Sequence, residues 1–157
     1  MEKTVRLYRP EDCKEIVGLF YDTVHTVNLK DYSPAQLDAW APEEIDMDVW
    51  DKSLSNNHTV VVEINGLIAG FGDMDDAGYF DRLFVHRDFQ GQGIATTITN
   101  ELEKYAQQNG IMVITTQASI TAKPFFEKRD YRVVKKQNVE RKGQILTNFV
   151  MEKHLDK

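Results

Sequence analysis

The segment Leu83-Phe84-Val85-His86-Arg87-Asp88-Phe89-Gln90-Gly91-Gln92-Gly93-Ile94-Ala95 constrains the chain more than any other. It reads as a strand that runs into a glycine-rich loop, and the loop opens directly into a helix whose apolar face carries Ile94, Ile98, Leu102, Tyr105 and Ala106. Gly91 and Gly93 let the backbone take angles that other residues resist and let a ligand approach closely. The first amides of the helix have no intrahelical acceptor, and the helix dipole adds partial positive charge there. Such a junction is an anion site suited to phosphate or pyrophosphate.

Three phosphate-binding patterns, and one plain connection, compete for this segment. A P-loop requires Gly-Lys-Ser/Thr, but Ile94 follows Gly93. A dinucleotide fingerprint wants a third glycine at position 96, which is Thr96, and a βαβ context in place of the antiparallel meander that precedes it here. A glycine-rich turn that merely joins strand to helix is the plain alternative. The remaining pattern is Gln90-x-x-Gly93-x-Ala95, which resembles the Q/R-x-x-G-x-G/A motif of the GNAT superfamily of N-acetyltransferases.

The resemblance extends beyond the hexapeptide. Leu83-Phe84-Val85 stands where that superfamily has its L-x-V strand end, and Ala122-Lys-Pro-Phe125-Phe126-Glu-Lys128-Arg-Asp-Tyr131 resembles its A-x-x-F-Y-x-K-x-G-F element. Gln117-Ala-Ser119 and the stretch Tyr32 to Trp40 resemble a bacterial subgroup of small GNAT proteins. The order of elements agrees over nearly the whole chain. A strand over 3–8 is followed by a helix over 10–27, a helix that Ser33-Pro34-x-Gln36 caps and a helix restarting at Pro42. Strands at 59–64 and 67–72 join through Asn65-Gly66, and Asp73 to Gly78 is read as a polar turn. A strand at 79–85 precedes the helix that stops at Asn109-Gly110, and then come a strand at 111–116, a helix at 121–129, and strands at 131–140 and 144–152. The fold class expected is α/β, a single GNAT domain over residues 1–157 with a mixed, mostly antiparallel sheet of six to seven strands flanked by helices.

The resemblance implies acetyl-CoA as cosubstrate. It places backbone groups of Leu83, Phe84 and Val85 along the pantetheine arm and the amides of Gln90, Gly91, Gln92, Gly93, Ile94 and Ala95 on the pyrophosphate. Ser119, Phe125 and Lys128 lie in the element that flanks the cofactor tail. An alkylamine of pKa about 10.4 is protonated at neutral pH, so its attack on a thioester needs a proton acceptor, directly or through water. Asp81 and Tyr79, on one face of the strand before the motif by two-residue alternation, are the catalytic candidates, with Asp81 the first choice of base. The plainer role for Asp81 is a salt bridge or strand-end hydrogen bond. The family's thiolate-protonating tyrosine position is Phe126 here, which leaves Tyr131, Tyr79 or water for that work. The same departure favours the rival reading, a GNAT-like domain that holds acyl-CoA as a sensor or regulator without turnover.

The acceptor expected is a primary amine, small or peptidyl. Residues 31–51 carry seven acids and no Lys or Arg, a wall that would concentrate a cation, or else a solvated helix face. Tyr21, His25, Tyr32 and Trp40 are pocket or core aromatics. Residues 123–142 carry eight cations and three acids, suited to the cofactor's 3′-phosphate or to a surface role. With Lys plus Arg at 19 and Asp plus Glu at 25, the net charge of −6 argues against a general nucleic-acid binder. One cysteine, Cys13, excludes an internal disulfide, and four histidines without ligand spacing give no metal site. No apolar run is long enough to span a bilayer and the first ten residues do not form a signal peptide, so a cytoplasmic protein is expected, with a homodimer possible on the resemblance alone.

Overall fold

The computed structural model describes residues 3–155. Seven strands form one sheet: β1 (Lys3–Leu7), β2 (His58–Ile64), β3 (Leu67–Met74), β4 (Tyr79–Val85), β5 (Val113–Ser119), β6 (Arg132–Arg141) and β7 (Gln144–His154). Five α-helices accompany them: α1 (Cys13–Thr26), α2 (Pro34–Trp40), α3 (Met47–Asn56), α4 (Ile94–Gln108) and α5 (Lys123–Glu127). The sheet order is β1-β2-β3-β4-β5-β7-β6, antiparallel except for β4 beside β5.

The β2 run Val60-Val61-Val62 is apolar at every position because both faces of the sheet are covered. Val60 and Val62 pack with Ile94, Ile98 and Leu102 of α4, while Val61 packs with Ile16, Leu19 and Phe20 of α1 on the opposite side. Close seating of α4 depends on β3. A Cβ on Gly70 would stand 2.8 Å from Ile94 Cγ2, and one on Gly72 would stand 2.7 Å from Ile98 Cγ2.

Helix starts follow local chemistry. Ser33 and Gln36 exchange side-chain and backbone hydrogen bonds, the expected capping box. Pro42 does not restart a helix. Instead the Asp46 carboxylate accepts from the Asp48 and Val49 amides and opens α3 four residues later. The strand expected from Ile111 begins at Val113, and the helix expected over 121–129 contracts to α5. Asp130 takes a φ of 72°, the left-handed backbone that a glycine would supply at this turn.

Asp73 is not in the polar turn that its neighbours suggest. It lies in β3, fully buried, with its carboxylate paired to the Arg82 guanidinium. It also accepts from the Arg82 amide at 3.0 Å and from Asn57 Nδ2 at 3.0 Å. Opposite it the β3–β4 register slips: Asp73 pairs with Arg82 but Met74 pairs with Phe80, which leaves Asp81 as the extra residue of a β-bulge.

Candidate active site

The parallel pairing of β4 with β5 comprises Tyr79 with Thr115 and Phe80 with Thr116, and stops there. Beyond it β5 stays in register with β7 as far as Ser119 opposite Asn148, while β4 stays with β3 as far as Val85 opposite Gly70. The sheet therefore opens between the C-terminal half of β4 and that of β5. A cavity of about 480 Å³ occupies this opening, walled by Tyr79, Asp81, Leu83 and Phe84 on one side and by Gln117 and Ser119 on the other.

Two-residue alternation places Tyr79 and Asp81 on one face, and both reach the cavity, but the bulge alters the route. Phe80 and Leu83 pack toward α4, whereas strict alternation would give them opposite faces. The extra residue is Asp81, whose carboxylate is about one-third exposed and lies 3.5 Å from Arg82 Nη1. The Tyr79 hydroxyl is held above its ordinary range by burial and by the neighbouring Asp81 charge, with Arg141 pulling the other way. It stays protonated at neutral pH. Arg82 is committed elsewhere: besides Asp73 it donates to Ser53 Oγ at 3.0 Å and lies 4.6 Å from the Trp50 ring centre.

At the end of β4 the chain turns through a short 3₁₀ segment, Arg87–Phe89, into the glycine loop. Gly91 and Gly93 both have left-handed backbones, φ 74° and 78°, and the space where each side chain would project is open. Gly93 is the N-cap of α4 and supplies no capping side chain, so the leading amides of a 15-residue helix face outward without an acceptor. An anionic diphosphate fits this arrangement in charge, hydrogen-bonding and space. Ile94 is turned inward, 1% exposed, and anchors the loop to the core. The Gln90 side chain donates to the Val85 carbonyl at 2.7 Å, and Thr23 Oγ1 donates to the same oxygen at 3.1 Å. Both lone pairs of the Val85 carbonyl are thus engaged within the chain.

The remaining residues separate. Ser119 lines the cavity and its Oγ accepts from the Ala122 amide at 3.0 Å. Phe125 is half-buried beside Phe126 and lies outside the cavity lining, and Lys128 is exposed at the end of α5. Phe126 is buried edge-on against Phe80. Tyr131 is not brought to the cavity. It is buried in the core, its hydroxyl donates to Glu103 Oε2 at 2.9 Å, and burial together with the Glu103 charge pushes its pKa well up. Its hydroxyl thus faces Glu103 of α4 and not the cavity.

The acidic stretch is also dispersed. Glu44 and Asp46 line the cavity, whereas Asp51 accepts from the Tyr8 hydroxyl, Asp38 faces His25 and Asp31 accepts from Thr121. Of the aromatics, Tyr32 and Trp40 reach the cavity, while the Tyr21 and His25 rings pack on each other at a tilt. Residues not anticipated are Arg141 and Asn148, which enter the same cavity from β6 and β7. Among the described residues no cluster of His, Cys, Asp and Glu could hold a metal ion, and no helix is long and apolar enough to cross a membrane.

The acetyltransferase (GNAT) domain family matches residues 28–153. The chain is 35% identical over 147 residues to the Escherichia coli protein named uncharacterized N-acetyltransferase YafP, covering 94% of this chain and 93% of that one. The structure of a GCN5-related N-acetyltransferase from Rhodopseudomonas palustris superposes with a TM-score of 0.94 at 32% identity, over 99% of this chain and 97% of the other. The PaiA N-acetyltransferase of Thermoplasma acidophilum, solved in complex with coenzyme A, shares the fold at 16% identity with a TM-score of 0.81, over 99% and 100% of the two chains. With a glycine loop at the head of α4, a sheet opened between β4 and β5 and these matches, the chain belongs to the GNAT family of acetyltransferases.

Proposed function

We propose that this chain transfers the acetyl group of acetyl-CoA to a primary amine by direct attack on the thioester, in the opening between β4 and β5. One observation carries the reading: the strands part after Phe80 and Thr116, and β4, which lines the cavity so formed, runs on through the glycine loop to a helix start whose amides are unanswered. In this reading the amides of Gln90 to Ala95 hold the pyrophosphate. The backbone of Leu83 and Phe84 lies along the pantetheine arm and Ser119 across from it. Bound acetyl-CoA supplies an activated acyl group.

The chain's own residues manage two protons. Asp81 takes the proton that the attacking nitrogen must lose, directly or through one water, as the new C–N bond forms. Tyr79, kept protonated by burial, donates to the sulfur as the C–S bond breaks. This assignment answers the phenylalanine at 126, because the donor comes from β4 and not from α5.

Calorimetric titration of acetyl-CoA into the native protein and into Gly93→Asp tests the cradle. Micromolar binding that the variant loses, with its fold intact by circular dichroism, is expected. Free-thiol release with a panel of amines then tests turnover. Binding without release from any amine would favour an acyl-CoA sensor, and no binding would remove both readings.

A further inference from the structure

The cavity is lined by side chains of both charges, and one of its cations has no partner. Two cations line it, Arg82 and Arg141. Arg82 is fully engaged by Asp73, Ser53 and Trp50. Arg141 is different. Lys123, Arg129 and Arg132 of the basic stretch are paired with Glu127, Glu103 and Glu152, whereas the Arg141 guanidinium, the one cation of that stretch in the cavity lining, has no ion pair or side-chain hydrogen bond among the described residues.

Its position is fixed by the hairpin. Arg141 pairs with Gln144 across a two-residue turn, Lys142-Gly143, with φ of 48° and 81°. Positive φ at both central residues is the turn that closes a twisted antiparallel pair tightly. Val139 and Arg141, two apart on β6, both line the cavity, so strand alternation points them the same way. The Arg141 charge is felt at the Tyr79 hydroxyl, whose pKa it pulls down against burial. On the same wall Asn148 has a buried side-chain oxygen with no hydrogen-bond partner among the described residues. The same cavity is lined by the carboxylates Glu44, Asp46 and Asp81.

We propose that the acceptor carries an anionic oxygen group, a carboxylate or a phosphate, in addition to its amine, and that Arg141 binds that group. The guanidinium fork matches either oxyanion with two parallel hydrogen bonds. The amine then lies toward Asp81, and the Asn148 oxygen is available to an N–H of the same molecule. The proposal rests on the acetyl-transfer reading for the role of the amine, and on Arg141 alone for the role of the anion. It makes the acceptor zwitterionic, a narrower class than a simple cationic amine.

Matched acceptors test it: an amino carboxylate against its carboxamide, and an aminoalkyl phosphate against the corresponding amino alcohol. Thiol release is measured for the native protein, Arg141→Lys and Arg141→Gln, with acetyl-CoA affinity measured in parallel. The expected result is a preference of about tenfold to a hundredfold in kcat/KM for one anionic member, the range for hydrogen bonds to a charged group. Arg141→Gln reduces that member to the level of its neutral counterpart, Arg141→Lys retains part of the preference, and acetyl-CoA affinity does not change. Which anion is preferred identifies carboxylate or phosphate. Equal use of both members by the native protein overturns the proposal while leaving acetyl transfer intact. So does a loss of acetyl-CoA affinity in Arg141→Gln without a change in preference. If no amine is turned over, the acetyl-transfer reading fails by itself, and calorimetry of the same pairs decides the anion site. Tighter binding of an anionic member that Arg141→Gln abolishes upholds it, and equal binding overturns it.

Discussion

Asp81 is the one additional residue of β4, left over where Asp73 pairs with Arg82 and Met74 with Phe80, and it lines the cavity together with Tyr79. Asp81→Asn keeps the shape and removes the proton acceptor. With a protonated amine as acceptor, kcat is expected to fall by about 10²–10⁴-fold with acetyl-CoA affinity unchanged, read by steady-state thiol release and calorimetry. Tyr79→Phe is expected to cost less, within about tenfold, because a thiol of pKa near 8.5 is readily protonated by water. A Tyr79 variant as inactive as the Asp81 variant would show that the hydroxyl does more than donate one proton.

Seating a helix against a sheet depends on the smallest residues beneath it. In Gly72→Ala the added methyl group meets Ile98 at 2.7 Å and the Arg82 carbonyl at 3.0 Å, and one of these is backbone. Overpacking of this kind costs about 1–3 kcal/mol, to be read as a lower urea midpoint. Ser33→Ala removes the α2 cap and is expected to cost about 1 kcal/mol. The elements that sequence resolved are those whose signals are local: the Asn65-Gly66 hairpin, the Ser33 box, the apolar stripe of α4 and the loop at Gly91 and Gly93. Those it missed depend on partners far along the chain. Asp73 reads as a turn residue because Asp75, Asp76 and Gly78 follow it, and its burial makes sense only once β3 and β4 are in register and Arg82 stands opposite. The bulge leaves no mark in side-chain pattern. Insertion of β7 between β5 and β6 brings Arg141 and Asn148 to a cavity whose other wall lies some sixty residues earlier. Pro42 suggests a helix start, but the competing cap at Asp46 offers two amide hydrogen bonds.

The stability of the whole molecule carries the signature of a buried carboxylate, Asp73 of β3. Burial pushes Asp73 from the ordinary 3.8 up to about 6, against the pull of Arg82 and Asn57. Between these values the folded chain binds more protons at this site than the unfolded chain, so the Asp73 contribution falls as pH rises from about 4 to 6 and is flat above. The interval from 3.8 to about 6 corresponds to on the order of 3 kcal/mol. Asp73→Asn abolishes this dependence, so the stability of the variant relative to the native protein is expected to climb by that order over the same range in denaturant titrations. A constant difference would place the Asp73 pKa near its unfolded value. The parted strands have a mechanical meaning as well. β1 to β4 and β5 to β7 are two plates riveted at two backbone pairs, Tyr79–Thr115 and Phe80–Thr116, and everything beyond that rivet is a slot with hydrogen-bonding lips. A ligand whose own amides bridge the lips becomes a splint, tying the two plates together where the chain does not. Saturation with acetyl-CoA at about a hundred times its Kd is then expected to add about 2.7 kcal/mol of stability. Amide exchange should slow along Leu83 to Val85 and Gln117 to Ser119 together, on both plates at once.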